Sequence, residues 1–175
     1  MRGLLALLVV LGALGVSGRA PAAEFRSSGG FPALVVEAPA GSISRADADL
    51  VTVSPASGPP PGLILSVKSV DTKIAGAVDG ALADRVAAGF FKAWAGAGST
   101  MTGPIPDGQV NIAGRPASRY RGAMTTPDGH RADVEVAVVL IDASHIGALI
   151  LIGTTGEATT AALEKAMMAA TLTDH

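Results

Sequence analysis

The chain has 175 residues, with 13 Lys and Arg against 15 Asp and Glu and a formal net charge of −2. A balance this close to neutral gives no support to nucleic-acid or anionic-membrane binding, both of which draw on excess positive charge. There is no cysteine, which excludes disulfides, thiol catalysis and thiolate metal sites.

Residues 1–22 read as a secretory signal peptide. Arg2 supplies the positive start, Leu4 to Val16 the apolar run, and Ala20-Pro21-Ala22 a small-x-small cleavage site. The apolar run is shorter than the ~20 residues of a membrane-spanning helix; an N-terminal anchor that is never cleaved is the alternative. Cleavage removes Arg2, Arg19 and no acidic residue, taking the formal charge from −2 to −4. Residues 23–175 then have the size of one α+β domain with no transmembrane segment. The expected location is secreted, and periplasmic in a Gram-negative bacterium.

Phe31 to Val36 reads as a strand, closed by Glu37-Ala38-Pro39-Ala40-Gly41, and Leu50 to Val53 as a second. Ser54 to Gly62 carries Pro55, Gly58, Pro59, Pro60 and Pro61 and is a loop. Leu63 to Val67 is a third strand, with Leu63, Leu65 and Val67 on one face. A helix follows from Asp79, its expected N-cap, to about Ala95. Leu82, Val86, Phe90 and Trp94 recur at helical spacing, and Phe91 widens the stripe. Such a stripe packs on a sheet or walls a ligand site. Ser99 to Gly108 reads as a loop and Gln109 to Ile112 as a short strand.

Arg115 to Gly153 is the centre of the pattern, three consecutive antiparallel strands. Arg115, Arg119 and Arg121 share one parity, and Tyr120 and Met124 share the other. Thr126-Pro127-Asp128-Gly129 is a hairpin turn. Val134, Val136, Val138 and Leu140 form one apolar row of the next strand; Asp133 and Glu135 start the other row, which ends at Ala137, Val139 and Ile141. Ile146 to Ile152 is apolar throughout, as a central strand is, with Gly147 marking a bulge or a close backbone approach. Thr154 and Glu157 have capping-box spacing before a last helix that runs to about Thr171, with Leu163, Met167 and Ala170 facing in. Two buried faces need two covers. The predicted fold is α+β, an antiparallel sheet covered by helices on both faces as an α/β/α sandwich.

Few residues point to chemistry. Asp142, Ser144 and His145 have triad residue types but lie on one turn, whereas a triad converges from separate elements. His130, His145 and His175 lack metal-ligand spacing, and Gly153 to Gly156 precedes a helix without a phosphate-loop lysine. No catalytic residue, metal or cofactor is expected. Arg115, Arg119, Arg121 and Arg131 are the candidate binding residues. They make either an anion- or partner-binding patch or a cross-strand ion-pair ladder with Asp133 and Glu135.

Strands first, a helix with aromatic anchors, Gly114-x-Pro116-Ala117 leading to Arg119-Tyr120, two long hairpin strands and a closing helix together resemble the PsbP-like and DcrB-like superfamily. That resemblance implies a sheet between helices and mostly non-enzymatic binding or accessory roles; it supplies no catalytic residue. The expected function is a secreted or periplasmic accessory domain, not an enzyme, binding an envelope protein or a small ligand. A carrier using a groove between sheet and helix, or an unrecognised hydrolase, is the alternative.

Overall fold

The computed structural model describes residues 22–27, 32–47, 50–56, 62–70 and 80–173. The expected signal peptide as far as Pro21, Phe31, Pro59 to Pro61, the Asp79 cap and His175 lie outside them. The elements run β1 (Ala23–Arg26), β2 (Ala33–Ala38), β3 (Ser42–Asp47), β4 (Leu50–Pro55), β5 (Gly62–Ser69), α1 (Gly80–Gly96), β6 (Thr100–Ile112), β7 (Arg115–Thr125), β8 (Arg131–Asp142), β9 (His145–Gly153), α2 (Ala158–Met168) and β10 (Thr171–Thr173). One antiparallel sheet has seven strands in the order β3-β4-β5-β9-β8-β7-β6; a second has three, β1-β2-β10.

The β7–β8–β9 meander forms where the alternation places it. Gly129 takes a positive φ of 88° in the first turn, a conformation glycine adopts without steric cost. The second turn is held by the Asp142 carboxylate, which accepts the Ser144 N–H at 2.6 Å. Pairing runs unbroken through Gly147 on both sides, opposite Val67 and Val139, so there is no bulge there. The glycine serves a close approach instead. A Cβ at that position would stand 2.8 Å from Leu34 Cδ1 and 3.0 Å from Val139 Cγ1.

Period-2 alternation splits the large sheet's side chains between two cores. On one face Ile64, Val136, Val138 and Ile150 pack under Ala83, Ala87 and Phe91 of α1. On the other, Leu63, Leu65, Val139 and Leu149 pack under Leu34 and Val36 of β2 and Leu163 and Met167 of α2.

The expected α/β/α sandwich therefore does not form. The chain is mostly strand, in two sheets with two helices among the described residues. The layer opposite α1 is a small sheet together with one helix. β2, apolar and buried at every position but Glu37, covers part of that face with a strand, and β10 extends the same sheet straight after α2. The segment read as a loop over Ser99 to Gly108 belongs to one long strand, β6, at the edge of the large sheet. Pro104 and Pro106 are tolerated because an edge strand can leave backbone donors unpaired. The register shifts between Thr102 and Ile105 and between Pro106 and Gln109 take up the misfit.

The helices also differ in detail from expectation. In α1 the buried residues are Ala83, Ala87 and Phe91, while Leu82, Val86, Phe90 and Trp94 are only partly buried. The inward line is thus one position on from the most hydrophobic stripe, because small residues let the helix approach the sheet closely. Tyr120 of β7 ties the two together, its hydroxyl donating to Asp84 Oδ1 at 2.8 Å. In α2 no side chain caps the N-terminus at Glu157, so the expected Thr154–Glu157 capping box is absent. Asp133 of β8 holds this turn instead, accepting both the N–H (3.1 Å) and the hydroxyl of Thr155.

Burial first, and then Asp84, push the Tyr120 hydroxyl up to about 12. The unfolded chain ionises this tyrosine near pH ~10. The contribution is therefore complete below pH ~10 and is lost as pH rises toward the folded value. Tyr120→Phe should lower stability by about 1 kcal/mol at neutral pH. In alkaline denaturation series the wild type should lose that advantage over the variant; a constant gap up to the highest pH would remove the linkage.

Candidate functional site

Of the four candidate arginines, the structure brings two together. Asp107 of β6 receives Arg119 Nη2 at 2.5 Å and Arg121 Nε at 2.7 Å on one oxygen, Oδ2. Arg119 Nη1 also lies 3.7 Å from Glu135 Oε1. Arg121 stands directly opposite Glu135 in the register. Arg115 opens β7 opposite Ile112, and Arg131 opens β8 opposite Thr125; both are exposed and apart from the pair. Asp133 shares the arginine face but bonds to Thr155. Asp107 was invisible to sequence reasoning because its segment looked like a loop; only the bulge of β6 carries it to the arginines.

Glu135 is the most enclosed of these carboxylates. Burial pushes its carboxyl above the usual range, Arg119 pulls it down, and Glu164 pushes it up again. A carboxyl raised in the folded state favours folding below its ordinary value and loses that contribution as pH rises. Glu135→Gln keeps the shape without the charge. It should raise the thermal midpoint at pH 7, and the gain should close below pH ~4, where the unfolded chain protonates the residue. A gain that is the same at both pH values would contradict the buried-charge account.

The triad residue types do not assemble. His145 Nδ1 contacts the Asp142 carboxylate at 2.9 Å, but Ser144 offers that carboxylate only its backbone N–H. His130 and Asp128 are 3.6 Å apart on an exposed loop. Among the described residues, no group of three or more His, Asp or Glu is placed to hold a metal ion.

A groove with the form of a ligand site lies under α1. It measures about 650 Å³ and opens between this helix and the β4–β5–β9 part of the sheet. Its floor contains Ser66 and Ala148, small residues in an otherwise bulky row, and Phe90 and Trp94 stand along its helix wall. Their ring centroids are 6.3 Å apart. Gly89 also faces the groove, and a Cβ there would meet nothing within 4 Å. Ser66 is only 2% exposed, yet its hydroxyl has no hydrogen-bond partner. A buried hydroxyl without a partner is costly unless something else satisfies it. The charged residues of the lining, Lys68 and Arg85, are both cationic. The Leu82–Val86–Phe90–Trp94 stripe thus forms the groove wall, leaving the deep packing to Phe91.

No protein-family model and no curated protein matches the sequence. Among solved structures the chain is similar to LpqN of Mycobacterium tuberculosis, described as involved in cell envelope biogenesis. The two are 16% identical, with 86% of this chain and 91% of that one covered, at a TM-score of 0.52. A likeness at this identity shows a distantly shared fold, and no family model stands behind the resemblance to the PsbP-like and DcrB-like proteins. No helix among the described residues is long and apolar enough to cross a membrane.

Proposed function

We propose that this chain is a non-enzymatic accessory domain of the cell envelope that holds a single-chain amphiphile in the groove under α1. The carrying observation is the groove itself, with partly buried aromatics along an open apolar channel whose floor holds an unpartnered buried hydroxyl. Apolar pockets with a few placed polar groups are the usual form of small-ligand sites. Arg85 in the lining suits an anionic head group. The fold likeness to LpqN supports an envelope setting, as does the export signal read at the N-terminus.

The test is native mass spectrometry of the protein purified from its own envelope, with Gly89→Phe as the control. Phenylalanine at this helix position points into open space and fills the groove. The wild type should carry an added small-molecule mass that the variant lacks. An unladen wild type, or equal loading of both proteins, would favour the reading in which the domain binds an envelope protein through another surface.

A further inference from the structure

A second cavity lies on the opposite face of the large sheet, where α2 meets β6, β7 and β8. It measures about 450 Å³. Its lining carries three carboxylates, Asp133, Glu135 and Glu164, against one guanidinium, Arg121, and Arg121 is already bound to Asp107. Arg119 lies between Asp107 and Glu135. Arg131 acts on Asp133 from the exposed start of β8 without entering the lining. The wall is therefore anionic, despite the arginines that the alternation of β7 places on this face.

Charge alone would not make a site. Two buried oxygens in the wall add the second observation. Thr160 is 8% exposed, and its hydroxyl has no hydrogen-bond partner. Glu135 Oε1 is buried and also lacks a hydrogen bond, since Arg119 at 3.7 Å is too far to form one. Both residues line the cavity, from different elements, β8 and α2, and both oxygens can accept, with Glu164 one turn along α2 from Thr160. A primary ammonium has three donors and no acceptor, which matches this set. Leu151 and Ala161 in the lining, and the 59% exposed Ile105 at its edge, suit an alkyl stem.

We propose that this pocket binds a primary alkylammonium group, supplied by a free amine or by a lysine side chain. The inference is independent of the groove under α1, because the two sites are on opposite faces. The test follows the amide resonances of Gly153 and Ala161 at pH 7 and low salt while n-butylammonium chloride is added. Saturable shifts are expected, with n-butanol producing none. Glu164→Gln, a partly exposed position whose unchanged thermal midpoint confirms folding, should weaken binding about tenfold, and Thr160→Val should weaken it by a smaller factor. A Gly-Lys-Gly peptide acetylated at its N-terminus and amidated at its C-terminus, whose one ammonium is the lysine's, separates the sources. Tighter binding of the peptide assigns a lysine side chain, and tighter binding of butylammonium assigns a free amine. Absence of shifts, equal shifts with n-butanol, or binding of n-butanoate in place of the ammonium would overturn the proposal, the last by handing the site to Arg119 and Arg121.

Discussion

Phe91→Ala is expected to destabilise the protein by about 3–5 kcal/mol, the range for removing a buried phenylalanine and leaving a cavity. Phe91 is the only buried aromatic of α1, 3% exposed. Its ring lies on the backbone of β7, so close at Gly122 that a Cβ there would stand 2.4 Å from Phe91 Cε1. Nothing else on α1 can fill that volume, because Ala83 and Ala87 continue the same line with single methyl groups. Trp94→Ala should cost clearly less despite the larger side chain, since Trp94 is partly exposed along the groove. Chemical denaturation of the two variants checks the order; a larger loss for Trp94→Ala would place the helix's main anchor at the groove instead.

Gly122→Val is expected to cost at least ~3 kcal/mol, at the upper end of overpacking effects. The added Cβ would meet the Thr102 carbonyl oxygen at 2.3 Å and the Phe91 ring at 2.4 and 2.6 Å. The ring could rotate away, but the carbonyl belongs to the neighbouring β6 backbone at its bulge and cannot move without breaking strand pairing. The double variant Gly122→Val with Phe91→Ala should therefore recover only part of the loss. Full recovery would mean that the ring, and not the strand, sets the constraint.

The strands that fill both cores were readable because their signal is strong and local. Val134 to Ile141 and Ile146 to Ile152 alternate or run apolar at strand length, and Leu63, Leu65 and Val67 share a face as their period requires. What escaped depended on distance in space. The inward line of α1 passes through Ala83 and Ala87, fully buried although they are among the least hydrophobic of its apolar residues. Pro104 and Pro106 masked β6, since proline marks a loop unless the strand is known to be an edge. The strands β1 and β10, with 4 and 3 residues, are too short to carry a period. At the candidate sites, Arg119 and Arg121 were visible by parity, whereas Asp107 needed the bulge and Ser66 needed the helix above it to become a groove floor.

The central claim is most directly tested by the protein's own fluorescence. The sequence contains one tryptophan, and it stands on the groove wall. Dodecanoate, added below its micelle concentration, should shift Trp94 emission to shorter wavelength along a saturable curve, as the ring leaves water for an alkyl chain. Gly89→Phe should abolish the shift while leaving the fold intact. Emission in the wild type that does not respond, or an equal response in Gly89→Phe, would contradict a ligand in the groove under α1.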